Sequence, residues 1–390
     1  MKQFTKGTQK IIDAHKADFD CANWKDKQKS YGGYNAYLKK LGGIFAKWNG
    51  KTGSAKTVME FREFAEYVWG LMSIYGFDYN NGKIYRKWAG GKPFYTGGKK
   101  GRCNWGLIDD LCSKESKDKT TNCNYCQDSF LYKAGLFGKT GQPTNSCSYR
   151  SHIKTRKFKF FHKLSDLQVG DLVNFFSDPA TSDNPSDWKT WHHVAIVGEI
   201  INGHIIMYDG GGRFITTGRY KHELKVDSKN RPTGDYSNYK GYIGIRAFNL
   251  KDAKHDMVKD RTDECIAVGV IHDDCGTKTE RKTFLGSRYD KVQKLVTAYL
   301  KPEGHEEYIR ACADYVLEGY AGTGEYRKSY FDDEYDEVQK KVEWVMKTAE
   351  AVWADKDHSK YGVLKERENK LGADYWVVQR QIDRTKDAHK

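Results

Sequence analysis

Three stretches near the C-terminal end of this 390-residue chain repeat one pattern: GTKTERKTFLGSRYDKVQKLV (276–296), GTGEYRKSYFDDEYDEVQKKV (322–342) and GVLKERENKLGADYWVVQRQI (362–382). Each reads Gly, Arg five residues on, Tyr eight further, Val-Gln at three and four further, then Val or Ile. The glycines, Gly276, Gly322 and Gly362, stand 46 and 40 residues apart. A period of this length marks a supersecondary unit that recurs. An apolar run precedes each glycine (CIAVGVI, ADYVLEGY, AEAVWA). A short helical stretch carries the Arg, and Tyr-x-x-Val-Gln-x-x-Val follows with apolar residues at helical spacing. The pattern predicts all-α three-helix bundles over 263–300, 308–347 and 348–386. So small a unit must pack tightly. The repeated Tyr (289, 335, 375), Val (292, 338, 378) and Val or Ile (296, 342, 382) are therefore expected as core. The repeated Arg281, Arg327 and Arg367, with Gln293, Gln339 and Gln379, are a different matter. Arg is rarely buried without a partner, so these positions imply either a shared ligand contact or a shared structural ion pair.

Charge divides the chain unevenly. Residues 1–262 hold 44 Lys+Arg against 26 Asp+Glu, whereas residues 263–390 hold 22 against 26. The basic portion would be drawn to a polyanion, whether nucleic acid, anionic lipid or an anionic wall polymer, unless its lysines merely solubilise the surface. No nucleic-acid-binding motif accompanies the charge. With 38% hydrophobic and 14% aromatic residues, the chain is not a disordered one. It contains no run of 18 apolar residues, hence no predicted membrane span. The start, MKQFTKGTQKIIDAHKADFD, lacks the apolar core of a signal peptide. Synthesis in a cytosol is the expectation. Nine cysteines at irregular spacing then read as free thiols. Residues 1–60 are expected to form a basic helical extension, and 60–78 an amphipathic helix.

Chemistry concentrates between 61 and 255. In TNCNYCQDSFLYKAG (121–135), Cys123 opens a helix-like run ending at Gly135. A thiol in the first helical turn meets unpaired N–H groups and the positive dipole end, which favour the nucleophilic thiolate. LQVGDLVNFF (167–176) reads as a strand entered by a Gly-Asp turn. His193 is expected to open a covered strand, HVAIVGEI (193–200), where it could take a thiol proton. The next strand, HIIMYDGG, ends at Asp209, placed to orient that histidine. Cys103, in YTGGKKGRCNWG, is the alternative nucleophile, disfavoured by the short helix after it and by its distance from Gly170. Each residue has a plain alternative as a buried thiol, a strand-end histidine or a turn aspartate. Cys103, Cys112, Cys123 and Cys126 could in principle hold zinc, but their spacing fits common thiolate sites poorly. No metal or cofactor is expected.

These strings carry two resemblances. NCNYC, YKAG, LQVGDLVNFF and HVAIVGEI resemble the D-C-S-G-F, K-x-x-G, L-x-x-G-D-L-V-F-F and H-V-G-I-Y strings of NlpC-type papain-like peptidases. They are more loosely similar to CHAP amidases. The match spans about 90–250. Asn122 stands where those enzymes have Asp, and Asn124-Tyr125-Cys126 where they have Ser-Gly-Phe. The C-terminal copies resemble the cell-wall-binding repeats of phage lysozymes of the Cpl-seven type, the third copy departing most. Together the resemblances imply an α+β papain-like hydrolase domain, a helix packed on an antiparallel sheet, followed by helical repeats. They imply a phage endolysin acting on peptidoglycan, with Cys123 as nucleophile, His193 as base and Asp209 as third polar group. The six repeated Arg and Gln residues would then bind wall. Such a protein would lack a signal peptide and reach the wall after release. The rival expectation is a non-catalytic wall-binding protein on a degenerate hydrolase fold.

Overall fold

The computed structural model describes residues 2–16, 55–76, 103–104, 120–121, 158–176, 191–210, 219–246 and 249–388. The chain forms two units, Gln3–Asp260 and Arg261–Lys390, the latter grouped with Met1–Lys2. In the first, helix α1 (Lys6–Lys16) and helix α2 (Val58–Gly76) precede the two-residue strands β1 (Cys103–Asn104) and β2 (Thr120–Thr121), which pair with each other. Strands β3 (Lys159–Phe161), β4 (Leu172–Phe176), β5 (Trp191–Ile201), β6 (His204–Tyr208), β7 (Lys221–Val226), β8 (Pro232–Thr233) and β9 (Gly241–Arg246) follow. They make one antiparallel sheet in the order β3-β9-β4-β5-β6-β7-β8. All five residues of β4 are buried, the polar Asn174 among them, so the strand is covered on both faces.

Helix α2 begins at a capping box. The Glu60 N–H donates to Thr57 Oγ1 at 3.2 Å, and the Thr57 N–H donates to Glu60 Oε2 at 3.1 Å. Its Phe61, Ala65 and Trp69, four residues apart, form a fully buried stripe. The Trp69 ring stacks on Tyr220 at 5.0 Å and meets Tyr208 edge-on at 5.8 Å. Its indole N–H donates to the Asp209 carbonyl oxygen at 2.8 Å. The N-terminal segment joins this unit: the Thr5 N–H and the Thr8 hydroxyl both donate to the buried Glu66 of α2. Gln3 Oε1 accepts from the Tyr220 and Lys221 N–H groups. The described part of the expected 1–60 extension is thus built into the sheet unit, because its polar side chains supply partners that α2 and β7 need. Residues 17–54 lie outside the described residues.

Strands β5 and β6 form a hairpin about Asn202-Gly203, with φ of 51° and 81°. Positive φ at both central positions is the turn that matches strand twist, and Asn-Gly is its preferred pair. Partway along, the register shifts: Val197 pairs with Met207 but Glu199 pairs with Ile206, leaving Gly198 as the extra residue of a bulge. A one-residue slip moves side chains to the other face. Glu199, on the turn side of the slip, keeps the face of Ile206 and Tyr208; the Tyr208 hydroxyl donates to it at 2.9 Å, beside Lys221 at 2.7 Å and Arg62 at 3.3 Å. Met207, and Asp209 two residues on, share the face of Val197 and His193. Only glycine fits the bulge, since a Cβ at Gly198 would lie 2.2 Å from the Tyr208 ring.

The second unit is helical. Helices α3 (Asp263–Ile271), α4 (Lys278–Leu285) and α5 (Tyr289–Tyr299) belong to the first copy, and α6 (His305–Leu317), α7 (Gly324–Phe331) and α8 (Tyr335–Ala354) to the second. Helices α9 (Lys365–Leu371) and α10 (Tyr375–Ala388) complete the third. Between copies one and two, Pro302 and Gly304 interrupt the chain. Between copies two and three nothing does: no Gly or Pro falls within 335–354, and Val338, Val342, Val345, Ala349 and Val352 keep one buried stripe. The expected boundary at 347/348 falls inside α8. The repeated Val and Val/Ile positions are buried to 4% exposure or less, whereas the repeated Tyr positions are only half-buried. The first copy's entry is pinned at Asp263. Burial pushes its carboxyl pKa up, but Lys291 and Arg288, the latter with Nε 2.7 Å away, outweigh this and leave it lowered.

Gly198→Ala should drive Cβ into the Tyr208 ring and lower unfolding free energy by about 1–3 kcal/mol, the usual cost of overpacking, read by denaturant titration. Asp263 gives a pH test. A carboxylate held below its unfolded pKa of about 4 stabilises above that value and loses the contribution as pH falls through the folded one. Asp263→Asn should cost about 1 kcal/mol or less at neutral pH, Lys291 being solvent-screened, with the gap to the parent closing in acid.

Candidate active site

The HVAIVGEI expectation needs one adjustment. Strand β5 starts at Trp191, so His193 sits inside the strand instead of at its mouth. Trp191 pairs with Phe176 and His193 with Phe175, which leaves His192 as the extra residue of a second bulge. Bulges of this kind re-aim neighbouring side chains. His193 is 7% exposed and stacks parallel to Tyr239, 5.7 Å between centroids and 5° between planes. Its Nε2 lies 2.9 Å from Asp209 Oδ2, and Asp209 is fully buried just past the end of β6. The structure therefore brings together two of the three residues expected at the site. Their meeting depends on the Gly198 bulge, which puts Asp209 on the histidine's face, and helix α2 covers the opposite one.

A third group joins them that the sequence reading did not single out. Tyr236 follows β8 in a helical turn, Gly234–Tyr236, and its hydroxyl donates to the same Asp209 Oδ2 at 3.1 Å. Its ring stacks on Phe175 at 4.4 Å and 2°. The neighbouring Asp235 is bonded to His222 Nδ1 at 2.9 Å, while His222 Nε2 donates to the Arg219 carbonyl at 2.8 Å. In sequence these residues lie in GDYSNYKGYIG, a Tyr-rich stretch with no periodicity to mark it. The single usable signal is the repetition of Tyr beside a Gly-Asp turn.

Chemically, a carboxylate accepting from Nε2–H fixes one tautomer and orients the ring. It also stabilises the imidazolium when Nδ1 takes a proton. Asp171, the acid of the expected Gly-Asp turn, does something else. It accepts two bonds from Arg246, Nε at 2.9 Å and Nη2 at 2.7 Å, and one from the Gln168 N–H at 2.9 Å. Burial pushes its pKa up while Arg246 and Gln168 oppose the shift. Asp171 thus braces β4 against β9 and holds the strand that carries Phe175.

Both candidate nucleophiles are less fully seen. Cys123 lies outside the described residues, as do Cys112 and Cys126 of the zinc alternative. Cys103 occupies strand β1, where its backbone pairs with Thr121, two residues before Cys123. Among the described residues no group of three or more His, Cys, Asp or Glu is placed to hold a metal, and no helix is long and apolar enough to cross a membrane.

In the helical unit, each repeated Arg meets the Gln of its own copy. Nη1 donates to Gln Oε1 at 3.4 Å for Arg281–Gln293, 3.3 Å for Arg327–Gln339 and 3.1 Å for Arg367–Gln379. Arg327 also donates twice to the Gly322 carbonyl, and Arg367 once to that of Gly362. Arg281 instead has Asp273 at 3.7 Å. The three glycines take positive φ of 76°, 63° and 70°, which turns the chain between the first helix and the Arg-bearing one. Gly, Arg and Gln are thus parts of one device that ties the inter-helix turn to the last helix. All six side chains remain half-buried.

No family model, no curated protein and no solved structure matches this chain.

A double-mutant cycle over Arg327→Met and Gln339→Leu should show a favourable coupling of about 0.5–1.5 kcal/mol in unfolding free energy, the worth of one hydrogen bond. Additive effects would mean the pair contributes no mutual stabilisation.

Proposed function

We propose that this chain is a peptidoglycan hydrolase of endolysin type. Its papain-like domain would cleave an amide bond in the stem peptide or at the muramyl-peptide link, and its three repeats would hold it on the wall. The observation that carries the reading is the buried His193–Asp209 pair, with Nε2 committed to the carboxylate. A histidine oriented in this way is a base with Nδ1 as its exchanging nitrogen. Nδ1 would take the proton of the Cys123 thiol, and the thiolate would attack the amide carbonyl. Backbone N–H groups at a helix start would stabilise the oxyanion. His193 would then protonate the leaving amine and activate the water that releases the acyl group. The order of Cys, His and Asp along the chain, and the repeats that resemble wall-binding modules, support the same substrate. Retention on a polymer would raise local concentration through avidity. Peptidoglycan is the partner this reading requires. The net basic charge of residues 1–262 suits anionic wall polymers as an additional contact.

Cys123→Ala and His193→Ala should each abolish release of new amino groups from purified wall, a loss of about 10³-fold or more. Cys103→Ala should retain it. Mass spectrometry of the digest identifies the bond. Full activity of Cys123→Ala together with loss in Cys103→Ala would transfer the nucleophile role to Cys103, and a parent protein that releases nothing would favour a binding-only protein.

A further inference from the structure

We infer that Tyr236 is a positioning residue for the His193–Asp209 pair, held in place by a second histidine–carboxylate pair, His222–Asp235. The inference deepens the hydrolase reading and rests on it for the role of His193 as base. Two bonds converge on one carboxylate oxygen: Asp209 Oδ2 takes His193 Nε2 at 2.9 Å and the Tyr236 hydroxyl at 3.1 Å. An oxygen that shares its charge between two donors holds each less strongly than it would hold one alone. The Tyr236 hydroxyl therefore weakens the grip of Asp209 on a protonated His193 and keeps the histidine more ready to give its proton up. It also fixes the carboxylate's rotation, so that Oδ2 stays in line with Nε2.

The ring that carries this hydroxyl has little freedom. It is fully buried and stacked face to face on Phe175, the cross-strand partner of His193. The turn beneath it is fixed from the other side. His222, buried on β7, is bonded at both ring nitrogens, to the Asp235 carboxylate and to the Arg219 carbonyl. His222 on β7 thus fastens Asp235, and the next residue in the chain presents its hydroxyl to Asp209. Among the described residues, the groups facing His193 include Asp209 from β6, Tyr236 and Tyr239 from the segment after β8, and Phe175 from β4. Beyond them on the same face lie Asp235 and His222, with the His222 ring edge-on to Tyr236 at 6.3 Å.

The test is a nitrogen-15 NMR titration of the histidine rings in the full chain, comparing the parent with Tyr236→Phe. The phenylalanine keeps the ring on Phe175 and removes the bond to Asp209. His193 should stay in the Nε2–H tautomer at neutral pH, with its titration midpoint raised by about 0.5–1 pH unit, within what one bond to a charged group carries. In wall digestion by the same protein the acid limb of the rate profile should move up by the same interval, with kcat reduced and KM unchanged. A His193 midpoint identical to the parent's would overturn the inference. If Tyr236→Phe melts, Asp235→Ala replaces it. Releasing the turn from His222 should raise the His193 midpoint in the same direction, and an unmoved midpoint there overturns the inference equally. The NMR readout needs no catalysis. A shifted midpoint in a chain that digests no wall would sustain the positioning role and sink the hydrolase reading instead.

Discussion

A single inserted residue governs how the sheet unit works. Gly198 shifts the β5–β6 register by one and so carries the earlier residues of β5, His193 among them, to the face that Asp209 occupies. On one face Glu199, on the turn side of the slip, sits among Tyr208, Lys221 and Arg62, so that α2 docks over a satisfied carboxylate. On the other face Asp209 arrives beside His193. In an unshifted hairpin the two would lie on opposite sides of the sheet. The Tyr208 ring, lying where a Cβ would be, couples the two outcomes. The group that fixes the helix side of the sheet is also the reason that the bulge must be glycine.

The repeats apply the same economy to a shorter segment. A glycine in the left-handed region turns the chain, and in the second and third copies an arginine five residues on returns to bond that glycine's carbonyl. In all three copies the guanidinium also meets the glutamine of the last helix. The same pairing appears in three copies whose other residues differ widely. The local geometry is therefore what the repeated residues preserve first, and any contact with a ligand would be made by side chains already set in place by it.

Much of this was legible in the sequence where periodicity speaks. The amphipathic run at 60–78 corresponds to α2 at Val58–Gly76, and HVAIVGEI lies within β5. The Val and Val/Ile positions of the repeats are buried as their spacing predicts. What escaped reading is whatever depends on register or on distant partners. Hydrophobic alternation does not announce a bulge: Gly198 follows the apolar run 194–197 and His192 stands just ahead of it, with nothing to mark either as an extra residue. Tyr236 lies 27 residues from the aspartate it bonds and in a stretch without pattern. The repeated Tyr looked like core because it starts an apolar series, yet the first turn of a helix leaves it half-exposed. Asp171 resembled part of a functional motif, and its bonds to Arg246 give it a bracing role.

Helix α8 has a consequence for how such an array can change over time. The first two copies are joined by a break in the helix at Pro302-Glu303-Gly304, yet their helices share buried bonds: His272 Nε2 lies 3.0 Å from the Tyr308 hydroxyl, and the Tyr315 and Tyr330 hydroxyls both donate to Asp274. The second and third share one uninterrupted rod. Its C-terminal half, with Val345, Ala349 and Val352, packs in one cluster with Val377, Val378 and Ile382 of α10. Deleting the third copy would strand half of a helix with its apolar stripe uncovered. The chain path breaks at one seam and runs on through the other, but side chains tie all three copies, Arg380 of the third reaching Asp314 of the second and Glu264 of the first, so the copies would be inherited, and would unfold, together.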